Sequence, residues 1–85
     1  MFTVYVLKSE STDKIYIGQT AYKEIRLKRH NKELFYNPKG FTAKNMGPWK
    51  IVYEETFETR IEALKRERYL KSHVGRDYIR KILAR

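Results

Sequence analysis

Residues 2–18, FTVYVLKSESTDKIYIG, contain two alternating segments separated by a polar connection. Phe2 to Leu7 alternates with period two and Ile15 to Gly18 repeats the pattern, which is typical of β-strands. The SESTD stretch between them favours a turn, so the two strands are predicted to form an antiparallel hairpin. By strand parity the valines and isoleucines share one face of this hairpin, whereas Tyr5 and Tyr16 share the other.

The rest of the chain continues with helical and extended patterns. After the hairpin we predict a helix over about Tyr22–Leu34, a basic mobile loop over Phe35–Trp49, a strand over Lys50–Phe57, a helix from Thr59 to about Gly75 and a short helix over Asp77–Leu83. Thr59 and Glu62 fit a capping box at the start of the longer C-terminal helix. This order predicts an α+β fold with a small three-stranded antiparallel sheet flanked by helices, and the length predicts a single domain over residues 1–85.

The composition points to a polyanionic partner. Nineteen Lys and Arg against ten Asp and Glu give a formal net charge of +9, which favours nucleic acid. A membrane surface is the weaker alternative, because the basic residues are spread over several predicted elements rather than opposite one apolar face. The absence of cysteine excludes disulfides and thiolate metal sites. No segment reads as a signal sequence or a transmembrane helix, so we expect a soluble, cytoplasmic protein.

Glu67 lies where a charged side chain is costly. It falls in the middle of a predicted apolar helix face that Ala63, Leu64, Leu70 and Val74 form at spacings of three and four. Because a buried carboxylate is unfavourable without a partner, Glu67 is expected to face a cation, a metal or several hydrogen-bond donors.

Four other residues can be grouped with Glu67, namely Tyr5, Tyr16, Arg26 and His30. Each alone has an ordinary structural explanation: core packing for a strand tyrosine, solvation for an Arg or His, and an ion pair for the Glu. If both helices cover the tyrosine face of the sheet, however, the five side chains meet in one hollow. They then supply a carboxylate for a hard cation, a guanidinium for a phosphate, and phenol and imidazole groups that move a proton. Those are the parts that a phosphodiester hydrolase requires.

At these positions the sequence resembles the GIY-YIG nuclease family. Tyr16-Ile17-Gly18 reproduces the second half of the family signature, and Thr3-Val4-Tyr5 matches the first half, with Thr and Val in place of Gly and Ile. The family carries an Arg ten residues after the second signature tyrosine and a His or Tyr one turn later, which match Arg26 and His30. Its metal-binding Glu, in an Ala-x-x-x-Glu context, matches the last residue of Ala63–Glu67.

The resemblance covers almost the whole chain. The segment PWKIVY, Pro48–Tyr53, is similar to the third strand of small single-domain members related to the catalytic domain of UvrC. Two features differ from some members: Gln19 stands where they carry a Lys, and no Asn beyond the Glu67 helix matches the one they use.

The resemblance implies a single-metal DNA endonuclease with defined residue roles. Glu67 would hold one Mg²⁺ or Mn²⁺ ion, and Arg26 would steady the phosphate. A signature tyrosine, Tyr16 rather than Tyr5, would help to deprotonate the attacking water. Tyr5 and His30 would position water or relay protons.

Further residues are predicted to support this site. Gly18 is interpreted as letting the backbone after the second strand turn toward the helix and approach a phosphate. Candidates for contacts with the DNA backbone are Lys28, Arg29, Lys32, Lys39, Lys44 and Lys50, although each alone is also explained as solvated surface. Nothing resembles a separate recognition element, so specificity would come from DNA shape, ends, branches or damage, or from a protein partner.

Two alternatives to the nuclease remain open. One is a nucleic-acid-binding module on the same scaffold with little or no cleavage activity. The other is a small protein-interaction domain whose charge is coincidental. Nicks that require Mg²⁺ or Mn²⁺ and disappear in Glu67→Ala would distinguish the nuclease from the binding module. The interaction domain predicts no affinity for nucleic acid at modest salt.

Overall fold

The computed structural model describes residues 1–34 and 36–84. Within them the chain forms, in order, β1 (Phe2–Ser9), β2 (Ile15–Thr20), α1 (Lys23–His30), α2 (Phe41–Lys44), β3 (Trp49–Phe57), α3 (Arg60–Lys71) and α4 (His73–Leu83). The predicted α+β class and three-stranded antiparallel sheet are confirmed. None of the helices in these residues has the length and apolar character needed to cross a membrane.

The sheet has the strand order β2-β1-β3, with β1 paired antiparallel to both neighbours. In the hairpin, Tyr5 pairs with Gly18 and Leu7 with Tyr16, which confirms that the two tyrosines share a face. The β1–β3 pairing shifts register between Val6 and Leu7. Because β1 is central, β2 is an edge strand whose outer side is not paired in the sheet.

Each face of the sheet carries its own apolar cluster. On the valine face, Val4, Val6 and Ile17 pack against Ala63 and Leu70 of α3 and against Ile79 of α4. On the tyrosine face, residues from the sheet pack with α1 in a cluster of Tyr5, Leu7, Trp49, Tyr16, Leu27 and Ile51. Burial of apolar side chains on both faces stabilises the sheet between two helical layers.

The segment between α1 and β3 differs most from the prediction. α1 ends at His30 instead of Leu34, and the Asn31 side chain hydrogen-bonds the backbone of Trp49 through Nδ2 at 2.8 Å and Oδ1 at 2.6 Å. Lys32 then adopts a positive φ of 63°, which ends the helical path. The predicted mobile loop contains the short helix α2, although Phe35 of that loop lies outside the described residues.

The two C-terminal helices are divided differently from the prediction. Thr59 caps α3 by accepting a hydrogen bond from the Glu62 amide at 3.2 Å, as the capping box requires. α3 ends at Lys71, and Gly75 lies inside α4 rather than at a helix end. A Cβ at Gly75 would lie 2.1 Å from the Tyr69 carbonyl oxygen, so this glycine allows α4 to pack closely on the end of α3.

The predicted apolar face of the Glu67 helix is only partly correct. Ala63 and Leu70 are buried, but Leu64 is 44% exposed. Val74 is 63% exposed and belongs to α4, because the chain changes direction at Ser72. A single helical period therefore does not extend from Ala63 to Val74.

Candidate active site

Tyr5, His30 and Thr42 form a hydrogen-bonded chain on the tyrosine face of the sheet. Oη of Tyr5 lies 3.0 Å from Nε2 of His30, the last residue of α1. The other ring nitrogen, Nδ1, lies 2.6 Å from Oγ1 of Thr42 in α2. The structure thus brings two of the predicted site residues together and adds a third. Sequence reasoning missed Thr42, because a single Thr in a presumed mobile loop carries no signal.

Burial keeps Tyr5 and His30 uncharged at neutral pH. Tyr5 is 2% exposed, and burial raises the pKa of its hydroxyl to about 12 although the neighbouring Arg26 guanidinium acts in the opposite direction. Burial, with a smaller contribution from the positive charge of Arg26, lowers the pKa of His30 to about 4. Tyr5 is therefore a protonated phenol and His30 a neutral imidazole.

Tyr16 completes the ring cluster from the edge strand. Its ring centroid lies 4.8 Å from that of His30 and 6.3 Å from that of Tyr5. It also stacks on Phe41 of α2, with 6.0 Å between the centroids. In contrast to Tyr5, Tyr16 is only partly buried and lines cavities on the surface. Of the two signature tyrosines, Tyr16 is the one with access to solvent.

Two arginines of α1 face the same cavity as Tyr16. This cavity has a volume of about 330 Å³, and Arg26, Arg29, His30 and Phe41 are among its lining residues. No Asp or Glu within residues 1–34 and 36–84 forms an ion pair with either arginine. The cavity therefore combines positive charge with aromatic walls, an environment suited to a phosphate group next to an aromatic ring.

Gly18 serves the site in a different way from the sequence-based interpretation. It lies inside β2, paired with Tyr5, and its φ is not positive. The predicted backbone turn toward the helix is therefore wrong. A Cβ at this position would lie 2.7 Å from Oη of Tyr5 and 3.0 Å from the ring of Tyr16. The glycine instead leaves the space that the Tyr5 ring occupies above the neighbouring strand.

Glu67 approaches from the opposite side of the sheet. α3 packs on the valine face and α1 on the tyrosine face, so the expectation that both helices cover one face is wrong. The Glu67 side chain is 19% exposed and forms an ion pair of 2.7 Å with Lys71. Burial is the largest cause of the raised pKa of Tyr5, and the negative charge of Glu67 is a smaller cause in the same direction.

A second cavity connects the two faces of the sheet. It has a volume of about 260 Å³ and is lined by Ile17 of the valine face and Tyr16 of the tyrosine face, so it extends around the edge strand β2. Three cations also line it, namely Lys71, Arg76 and Arg80. The sequence analysis did not select them, although Arg76 and Arg80 lie one helical turn apart on α4 beside the buried Ile79.

The six cations predicted to contact DNA are all exposed. Arg29 is the one that lines the cavity of about 330 Å³ beside Tyr16. Lys32 lies over the ring of Tyr36 at 5.7 Å, and Lys50 forms a long ion pair of 4.0 Å with Glu10. Their exposure leaves the charges available to a polyanion, and their contact with DNA stays a prediction.

The donor chemistry of Glu67 suits a hard divalent cation that keeps water ligands. Mg²⁺ usually retains several waters and is bound through one or two carboxylates together with substrate phosphates. The Glu67 carboxylate fits this mode, because it is partly buried and lies one helical turn before Lys71, which lines the second cavity together with Tyr16. In the part of the chain that the structure describes, no cluster of three or more His, Cys, Asp or Glu could form an all-protein cage.

Comparison with known proteins assigns the family. The model of the GIY-YIG catalytic domain matches residues 1–81, so the chain belongs to the GIY-YIG family. It is similar to UPF0213 protein CPE1444 of Clostridium perfringens (strain 13 / Type A), with 41% identity over 71 residues that cover 80% of this chain and 68% of that protein. The NMR structure of UPF0213 protein BH0048 from Bacillus halodurans has the same fold, with a TM-score of 0.54 and 22% identity over 96% of this chain and 85% of that one.

Proposed function

We propose that this protein is a metal-dependent DNA endonuclease that hydrolyses a phosphodiester bond at the Tyr16 cavities. The observation that carries the proposal is that Tyr16, Arg26 and His30 line one cavity. Glu67 lies on α3, one helical turn before the Lys71 that lines the second cavity shared with Tyr16. Membership of the GIY-YIG nuclease family supports this chemistry.

Arg26 and Arg29 are proposed to bind the scissile phosphate. Both guanidiniums line the cavity beside Tyr16, and a guanidinium matches the oxygens of a phosphate with paired donors. Their positive charge stabilises the negative charge that grows on the phosphate oxygens as the bond breaks.

Tyr16 is proposed to help deprotonate the attacking water: its hydroxyl would first release its own proton to solvent, and the phenolate oxygen would then accept the proton of the water. Tyr5 is unsuited to this role, because it is buried and its pKa is raised to about 12. Tyr16 is partly exposed and lines the cavity. Tyr5 and His30 are proposed to hold the side chains of Arg26 and Tyr16 in position around the phosphate.

Glu67 is the residue proposed to hold one Mg²⁺ or Mn²⁺ ion. When bound, such an ion neutralises phosphate charge and lowers the pKa of a coordinated water. For this the carboxylate must exchange its ion pair with Lys71 for the metal, and Lys71 is then available to a second phosphate.

DNA is proposed to lie across the edge of β2, with cations on both sides of Tyr16. Arg26 and Arg29 belong to one side, and Lys71, Arg76 and Arg80 to the other. Phosphate contacts of this kind carry no sequence information. Selection of branched or damaged DNA would therefore rest on DNA shape or on a protein partner.

The test is nicking of supercoiled plasmid DNA by the purified protein. Wild type is expected to nick in Mg²⁺ or Mn²⁺ and not in EDTA. Glu67→Gln, which removes the charge and keeps the shape, is expected to lower the rate by at least about 100-fold, since it removes the proposed metal ligand. Glu58→Gln is the matched control, because Glu58 is exposed and lines none of the cavities described above. Its rate should stay within about twofold of wild type.

A wild-type protein that binds DNA without nicking it would favour the second candidate, a nucleic-acid-binding module. The Glu67–Lys71 ion pair supports this alternative, because it already occupies the carboxylate. Nicking that persists in Glu67→Gln would assign the activity to a contaminant or to another site.

A further inference from the structure

The imidazole of His30 is hydrogen-bonded at both ring nitrogens. Nε2 lies 3.0 Å from Oη of Tyr5, and Nδ1 lies 2.6 Å from Oγ1 of Thr42. A neutral imidazole has one nitrogen that donates and one that accepts. The two bonds must therefore run in the same direction, either from Tyr5 to Thr42 or from Thr42 to Tyr5.

The environment of Tyr5 decides this direction. Its hydroxyl is buried and protonated at neutral pH, so its hydrogen needs an acceptor. The neighbouring Arg26 carries donors only. Among the described residues, Nε2 of His30 is the acceptor within hydrogen-bond distance. Nε2 therefore accepts a hydrogen bond from Tyr5. Nδ1 carries the ring proton and donates a hydrogen bond to Oγ1 of Thr42.

Thr42 is itself held in place by its surroundings. It is 7% exposed, and its carbonyl accepts a hydrogen bond from Nε1 of Trp49 at 3.3 Å. Trp49 is in turn fixed by its two backbone bonds to Asn31. The hydroxyl of Thr42 thus has a defined position relative to the end of α1.

We propose that Thr42 is a positioning residue that holds His30 in the Nδ1–H tautomer and thereby directs the Tyr5 hydroxyl. This inference rests on the proposed function, since it assigns Thr42 a place in the same site. With its hydrogen directed at His30, the Tyr5 oxygen is left as an acceptor for the neighbouring Arg26 guanidinium. Thr42 therefore acts on the phosphate-binding guanidinium through two intermediate residues.

The test is the tautomer of His30 in ¹⁵N NMR spectra of protein labelled at histidine. The chain contains two histidines, and the exposed His73 is an internal reference. In wild type, Nε2 of His30 is expected at the chemical shift of an unprotonated nitrogen and Nδ1 at that of a protonated one. Thr42→Ser keeps the acceptor and should keep this pattern. Thr42→Val has a similar shape without a hydroxyl and leaves the Nδ1 proton without its acceptor, so the Nε2–H fraction of His30 should rise above that of wild type.

Cleavage provides the second measurement. Thr42→Val is expected to lower the nicking rate about 10-fold, as the loss of an orienting hydrogen bond behind an active-site group does, and Thr42→Ser should restore it. Thr56→Val, at an exposed position of β3, is the matched control and should leave the spectrum and the rate unchanged.

An Nε2–H tautomer in the wild-type protein would overturn the proposal. So would a folded Thr42→Val variant that keeps the Nδ1–H tautomer. If Thr42→Val does not fold, the wild-type and Thr42→Ser spectra still decide the assignment. The spectra need neither DNA nor metal. A wild-type protein that shows the expected tautomer but does not nick DNA would contradict the proposed function alone.

Discussion

The two signature tyrosines differ in their access to solvent, and this difference separates their chemistry. Tyr5 is enclosed between β2 and α1, where burial raises its pKa to about 12. Tyr16 lies on the edge strand and lines the cavities. Gly18 makes the arrangement possible, because any side chain there would meet the Tyr5 ring. Tyr5 is thus enclosed, and Tyr16 is the tyrosine proposed to face the substrate.

The lowered pKa of His30 predicts a pH dependence of stability. Burial lowers its pKa to about 4 in the folded protein, whereas the unfolded chain titrates near the usual value of about 6.5. As the pH falls below about 6.5, the unfolded state binds a proton that the folded state does not. The free energy of unfolding should therefore fall by about 1–2 kcal/mol between about pH 7 and about pH 5 from this group.

Urea unfolding of His30→Gln isolates this contribution. The variant should lose less stability than wild type over the same pH interval, because Gln does not titrate. His73→Gln, a change at an exposed histidine, should follow wild type. An equal loss in His30→Gln and wild type would show that His30 is not the cause.

The sequence predicted individual residues well where strand parity or a family motif applied. Tyr5 and Tyr16 were placed on one face by parity alone, and the structure brings both close to His30. Thr42 and the cations of α4 escaped prediction because their importance arises from tertiary contacts. The hydroxyl of Thr42 matters only because α2 folds back onto the end of α1.

At the scale of secondary structure, the position of α3 depends on an ion pair with β3. Nε and Nη2 of Arg66 both lie 2.9 Å from the carboxylate oxygens of Glu55. Tyr53 donates a further hydrogen bond to the same carboxylate, and the Arg66 guanidinium lies over the rings of Tyr69 and Tyr78. Glu67 is the next residue along α3, so this pair also helps to place the proposed metal ligand.

Arg66→Ala is predicted to lower the free energy of unfolding by about 1–3 kcal/mol, because it leaves the Glu55 carboxylate partly buried without its cation. Arg80→Ala is the control: it removes an exposed pair with Asp77 and should cost less than about 1 kcal/mol. Denaturant unfolding measures both. Equal losses in the two variants would mean that the pair does not anchor α3.

Periodicity predicted most of the elements, and local backbone geometry and tertiary contacts explain where it failed. α1 is shorter than its pattern because Lys32 adopts a positive φ of 63° and the Glu33 amide hydrogen-bonds back to the Lys28 carbonyl at 2.8 Å, which closes the helix end. α2 was missed because four residues between glycines and prolines carry no helical period. Periodicity also gave no information on which sheet face each helix covers, so α3 was assigned to the wrong one.

At the scale of the whole molecule, five cations lie around the edge strand β2. The arginines of α1 and the cations of α3 and α4 line cavities that share Tyr16. Glu67 brings a carboxylate to this basic region from the far face of the sheet. We therefore propose that a metal ion binds at Glu67 and not at the other acidic residues.

Paramagnetic broadening by Mn²⁺ in ¹H–¹⁵N spectra is the measurement that decides where the ion binds. Amide signals near Glu67 and Tyr16 should broaden at lower Mn²⁺ concentrations than those near the exposed Glu24 or Glu58, and Glu67→Gln should abolish this preference. The contrary result is broadening that is no stronger near Glu67 than near the exposed carboxylates, or a preference that survives in Glu67→Gln.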